Sequence, residues 1–148
     1  LNLYLVLTGQ KLMNIPTSKW VIHKTVDKWT SYVKNVLETS DVCVIPYPHK
    51  LFWNYTVLAK LFDYMAAGKP VISIDLKETS NIIKKFNCGL VARNWKEFEL
   101  CIERLYNDKN LAKRLGRNGR KAVKKHFNYE LLASTLLKNI VKTFEGEN

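Results

Sequence analysis

Apolar positions along this chain fall into two alternating spacings. Short, nearly continuous apolar runs occupy residues 1–7 (LNLYLVL), 20–23 and 42–45, then Val71–Ile74 and Gly89–Ala92, each bounded by turn or breaker residues. Runs of that length predict strands buried on both faces. Between them the spacing changes to that of helices. Residues 28–39 set Trp29, Tyr32, Val33, Val36 and Leu37 on one face, and residues 56–67 do the same with Leu58, Leu61, Phe62 and Met65. Gly68 and Pro70 close the second of these helices, and Pro46 with Pro48 halts the third strand. A polar connection holds Pro16, Thr17 and Ser18, residues 49–54 read as a loop, and residues 80–86 as a short helix. From Trp95 onward the period is helical, with interruptions expected at Asn107-Asp108, at Gly116 and Gly119, and at Asn128.

Strands alternating with helices predict an α/β fold, a parallel sheet with helices on both faces. In such sheets ligands bind beyond the carboxyl ends of the strands, which here are the turns after Leu7, His23, Ile45 and Ile74. A length of 148 residues with 47% hydrophobic content suits one domain, residues 1–148, whose last part, 95–148, is helical. The same content argues against disorder, and no stretch reaches the roughly 20 uncharged apolar residues of a membrane span. Cys43, Cys88 and Cys101 follow no metal or redox spacing and read as reduced core residues of a cytoplasmic protein.

The net charge of +11 is unevenly placed. Between positions 109 and 125 stand eight basic residues, Lys109, Lys113, Arg114, Arg117, Arg120, Lys121, Lys124 and Lys125, and no acidic one. No aromatic residue is interleaved, so a platform for stacking nucleic-acid bases is not expected. Two readings stay open: a solvated helix face, or a contact with an anionic membrane surface at up to about 1 kcal/mol per cation.

The stretch between Pro46 and Ile74 carries the candidate chemistry. Lys60 and Asp63 are three residues apart and share the polar face of their helix. A helix start near Thr56-Val57 would aim free N–H groups at phosphate oxygens, Lys60 would add a cation, and Asp63 could accept both hydroxyls of a ribose. An ordinary surface ion pair between Lys60 and Asp63, worth under about 1 kcal/mol, is the other reading.

Three blocks tie this stretch to a family. Ser40-Asp41-Val42-Cys43-Val44-Ile45-Pro46, Lys60 through Ile72 (KLFDYMAAGKPVI) and Cys88-Gly89-Leu90-Val91 resemble the nucleotide-binding half of family 4 (group 1) glycosyltransferases, and so does Leu111 through Phe127 with Asn128-Tyr129. The resemblance implies a Rossmann-like sheet, one half of the two-domain GT-B architecture. It also implies a retaining enzyme, hexosyltransferase-like, that moves a sugar from a nucleotide-diphosphate sugar to an acceptor such as a glycan or lipid-linked saccharide in polysaccharide biosynthesis. No metal or other cofactor is expected.

Carried over by position, the resemblance puts Asp63 where the family has a ribose-binding Glu and Lys60 beside the donor diphosphate or sugar. Asn54, Tyr55, Thr56 and Val57 would offer main-chain donors to the phosphates. Tyr55 stands where many members carry a sugar-contacting Glu. Gly9, His23, Thr25 and Val26 match segments near the donor base, although His23 also suits a plain half-buried strand end. The family's first strand, ending in Gly-Arg, and its first helix, carrying a Lys, are not found ahead of Leu1. The chain is therefore expected to lack its first β-α unit and the acceptor-binding N-terminal domain, and to be inactive alone. A nucleotide-sugar epimerase of the same fold and a non-catalytic basic binding module are the alternatives. The expected location is the cytoplasm, with possible peripheral attachment at the inner face of the membrane.

Overall fold

The computed structural model describes residues 2–9, 18–26 and 28–145. Leu1 and the Pro16-Thr17 connection lie outside them. The chain divides into two compact units, Leu1–Ser40 and Asp41–Asn148.

In the first unit, β1 (Leu5–Thr8) and β2 (Val21–Lys24) pair in parallel, with Leu5 opposite Val21 and Thr8 opposite Lys24. Just ahead of these strands Tyr4 and Trp20 bring their rings to 5.5 Å. The helix expected over 28–39 starts as α1 (Trp29–Tyr32) and continues as a π-helical stretch, Val33–Leu37. Glu38 N–H donates to the Val33 carbonyl at 2.9 Å, the i to i+5 bond that defines this form. Val36 and Leu37, both on the predicted apolar face, are its buried residues.

The second unit is a three-stranded parallel sheet of β3 (Cys43–Ile45), β4 (Val71–Ile74) and β5 (Gly89–Ala92), in that spatial order. The register sets Val71 against both Cys43 and Gly89. Strand β4 is central and wholly buried because both faces are covered. On one face Ile45, Val71, Cys88 and Ala122 pack with Leu58, Leu61, Met65 and Ile83; on the other Ile72, Ile74 and Ala92 pack with Phe98, Leu105, Leu111 and Leu115. The alternation of Val71 and Ile72 between these cores is the two-residue period of a strand.

The connecting elements are α2 (Leu51–Asn54), α3 (Ala59–Ala66), α4 (Lys77–Phe86), α5 (Trp95–Asn107), α6 (Lys109–His126) and α7 (Tyr129–Glu145). Four sequence expectations are corrected here. Residues 49–54 are not all loop, since Leu51–Asn54 form one helical turn. Helix α3 begins at Ala59 rather than Thr56, because Leu58 is extended (φ −79°, ψ 118°) and only 7% exposed, held by the core it enters. Helix α4 begins at Lys77 rather than Ser80, where buried, extended Leu76 hands over to a first turn with Glu78 against the positive helix end.

The fourth correction concerns α6, which runs through Gly116 and Gly119 without a break. Those glycines are contact points rather than breakers. A Cβ at Gly116 would collide with the Gly68 carbonyl, and one at Gly119 would press within 3.3 Å of Met65 and Cys88. Gly68 itself has φ +71°, which supplies the left-handed turn that ends α3 and leads to β4. Helix α6 thus gives Leu111, Ala112 and Leu115 to one core and Ala122 to the other.

Candidate functional site

The carboxyl ends of β3, β4 and β5 lead into Pro46-Tyr47-Pro48-His49, Asp75-Leu76 and Arg93-Asn94. The His49 ring nitrogen Nε2 lies 3.2 Å from the Arg93 carbonyl, so the loops of the two outer strands meet past the end of the central one. Asn94 caps α5 by accepting from Glu97 N–H at 2.9 Å, while Glu97 accepts from the Arg93 N–H at 2.8 Å and pairs with its guanidinium. Arg93 is thereby directed by the helix that follows it.

Lys60 and Asp63 occupy the first two turns of α3, on the side away from buried Leu61 and Met65. Their surface ion pair does not form. Lys60 Nζ donates instead to Tyr47 Oη at 2.7 Å and sits 4.9 Å from the centre of that ring. Tyr47 in turn stacks on Trp53, with centroids 4.3 Å apart and planes 25° apart. Asp63 is half-buried, and burial pushes its carboxyl above the ordinary carboxylate range. It is an acceptor with no protein donor among the described residues.

The structure shifts the other predicted contacts. The start of α3 at Ala59 means that Asn54, Tyr55, Thr56 and Val57 precede its first turn, so the N–H groups of Ala59 and Lys60 take the place assigned to Thr56-Val57. Asn54 N–H is already given to the Lys50 carbonyl, and the Thr56 hydroxyl donates to the Phe52 carbonyl at 2.7 Å. Tyr55 is exposed, with the Lys77 ammonium 5.2 Å from its ring centre, so an aromatic face and a cation stand where the resemblance implies a carboxylate.

Gly9, His23, Thr25 and Val26 lie in the first unit. Gly9 turns the chain after β1 with φ +121°. Thr25 and Val26 line a hollow of about 670 Å³ with Lys24, Lys28 and Asn35, whereas His23 is a half-buried strand residue opposite Leu7 and does not line it. Lys24 Nζ donates to the Asn35 carbonyl at 3.1 Å across that hollow.

Tyr47, Trp53, Lys77 and Arg93 had no role in the sequence reading. The signal for Tyr47 was its position two residues beyond a strand's carboxyl end, between two prolines that cannot donate a backbone N–H. Trp53 was hidden by the reading of its segment as a loop. As for the three cysteines, burial pushes the thiols of Cys43 and Cys88 up to about 12 and about 11, with Lys69 partly opposing the first, so both remain protonated core groups. Among the described residues no three His, Cys, Asp or Glu come together as a metal-holding group, and no helix is long and apolar enough to cross a membrane.

Comparison with known proteins places the fold and the family. The model of the family described as "Glycosyl transferases group 1" matches residues 3–108. A Bacillus subtilis (strain 168) protein, TuaH, whose name assigns it provisionally as a glycosyltransferase of teichuronic acid biosynthesis, is 30% identical over 77 residues. That match covers 52% of this chain and 18% of TuaH. The sucrose-phosphate synthase (tll1590) of Thermosynechococcus elongatus superposes with a TM-score of 0.65 at 23% identity, over 86% of this chain and 31% of that one. WaaG, a glycosyltransferase involved in lipopolysaccharide biosynthesis, gives 0.59 at 17% identity, over 78% and 30%. These two likenesses show the fold. The chain spans less than a third of each of these proteins.

Proposed function

The chain belongs to the group 1 glycosyltransferases, and we propose that its second unit binds the diphosphate and ribose of a nucleotide-sugar donor through Lys60 and Asp63. The observation that carries this is the placing, one turn apart on α3, of a cation and a half-buried carboxylate that has no protein donor among the described residues. Asp63 accepts from the two ribose hydroxyls. As the bond to the sugar breaks, negative charge builds on the departing diphosphate, and the Lys60 ammonium with the first N–H groups of α3 stabilises it there. The transfer retains the anomeric configuration and takes a hexose. Its acceptor is a glycan or a lipid-linked saccharide bound outside these residues, so this chain alone does not turn over. No divalent ion takes part, and chelator leaves donor affinity unchanged.

Calorimetric titration with nucleoside diphosphates tests the assignment. Wild type binds at least one of them, and Lys60→Ala and Asp63→Ala each weaken it about tenfold or more. Equal affinity in all three proteins removes both residues from the site.

Asp63 also leaves a trace in pH dependence. Its carboxyl titrates higher in the folded than in the unfolded chain, so its ionisation opposes folding. That cost is absent while both states are protonated, sets in as pH rises through the ordinary carboxylate range, and is complete above the raised folded value. Asp63→Asn therefore melts higher than wild type at neutral pH, and thermal melts across acid pH show the difference fading as pH falls.

A membrane surface is the proposed second partner. All eight cations of the 109–125 segment are exposed on α6, and Lys113, Arg114 and Arg117 line a hollow beside Gly68. An anionic leaflet matches that charge and would hold the enzyme at the inner face of the cytoplasmic membrane.

A further inference from the structure

Besides Lys60 and Asp63, the carboxyl edge of the sheet holds Tyr47, whose hydroxyl hydrogen has no protein acceptor among the described residues. The Tyr47 hydroxyl accepts a hydrogen bond from Lys60 Nζ at 2.7 Å. A phenol that accepts in this way still has its own O–H to give, and an ammonium that gives one N–H keeps two more. These unused donors belong to atoms 2.7 Å apart, a separation comparable to that between two oxygens of one phosphate.

Three features hold Tyr47 in place for such a contact. Its ring lies on Trp53 at 4.3 Å and 25°, which fixes the ring plane. The Lys60 ammonium that bonds the hydroxyl stands 4.9 Å from the ring centre, so it lies at the hydroxyl edge of the ring and leaves the O–H to point elsewhere. Pro46 and Pro48 restrict the backbone on either side. Asp63, the nearby carboxylate of α3, is not paired with Lys60, so the positive charge is not already neutralised there.

We infer that Tyr47 is a direct ligand of the donor diphosphate, its hydroxyl oriented by Lys60 and its ring by Trp53, so that phenol and ammonium grip the anion as one unit. This rests on the assignment of Lys60 to the diphosphate and adds a residue to it. The phenol donates a hydrogen bond without losing its proton, and no covalent step is involved. The ammonium offsets part of the charge on the leaving diphosphate where α3 begins, and the phenol orients it.

The experiment is calorimetry on the full chain with uridine, guanosine, adenosine and thymidine diphosphates and with the matching nucleosides, for wild type, Tyr47→Phe, Lys60→Ala and the double variant. Tyr47→Phe keeps the ring and its stack on Trp53, so its melting temperature is expected to stay close to that of wild type. Its affinity for the bound diphosphate falls about tenfold, as for loss of a hydrogen bond to a charged group, while the nucleoside binds unchanged. The double variant loses less than the product of the two single losses, because each single change disables the shared grip. Wild-type affinity in Tyr47→Phe beside weakened Lys60→Ala overturns the inference and leaves the donor site standing. An equal loss for nucleoside and diphosphate also overturns it. Failure of wild type to bind any diphosphate overturns the donor site and this inference together.

Discussion

Helices α6 and α7 follow one another, both carry helical periodicity, more sharply on α6 than on α7, and have opposite fates. Helix α6 buries Leu111, Ala112, Leu115, Gly116, Gly119 and Ala122. On α7, Leu136 and Leu137 stay 62% and 63% exposed and Phe144 71%, and no described residue of the helix is buried. Both helices carry apolar side chains, and only on α6 do they enter the two cores, with two glycines at its closest contacts. Gly116 lets the α6 backbone approach the Gly68 carbonyl, and α7 has no glycine with which to do the same.

That difference can be broken from its strongest point downward. Gly116→Ala must push α6 off the α3 turn, at a cost on the order of 4 kcal/mol, read as a large fall in the denaturant midpoint. Leu115→Ala leaves a cavity in the second core and costs about 3 kcal/mol. The matching change on the other helix, Leu136→Ala, shifts stability by no more than about 0.5 kcal/mol, since little contact is lost. A cost for Leu136→Ala equal to that of Leu115→Ala would mean that α7 has a packed partner in solution. Reversing Lys113, Arg117 and Lys121 to Glu disturbs folding least, because all three are exposed. It weakens sedimentation with anionic liposomes by about a hundredfold, at about 1 kcal/mol per cation. Undiminished sedimentation would leave the basic face of α6 as solvated charge only.

Legibility followed the source of each signal. Strands β4 and β5 fall on their predicted residues because their apolar runs are buried on both faces, a constraint written into every position. The closing Gly68 was equally plain, since a left-handed turn excludes most other residues. Helix starts were less so. At Leu58 and Leu76 an apolar side chain looks like part of the helix, yet the core holds its backbone extended. The candidate site divided in the same way. Lys60 and Asp63 could be placed on one face from spacing, while their separation into a Tyr47-bound cation and a donor-free carboxylate depends on a loop folding back across thirteen residues.

By itself the sequence determined the alternation of strands and helices, the shared face of Lys60 and Asp63, and the family, because periodicity and short motifs are local properties of a chain. Tertiary structure alone decided that Gly116 and Gly119 join helices instead of ending one, that α3 starts at Ala59, and that Tyr47 rather than Asp63 accepts the Lys60 hydrogen bond. Each of those outcomes is a competition between a local preference and a contact distant in sequence, and only packing sets the distance of that contact.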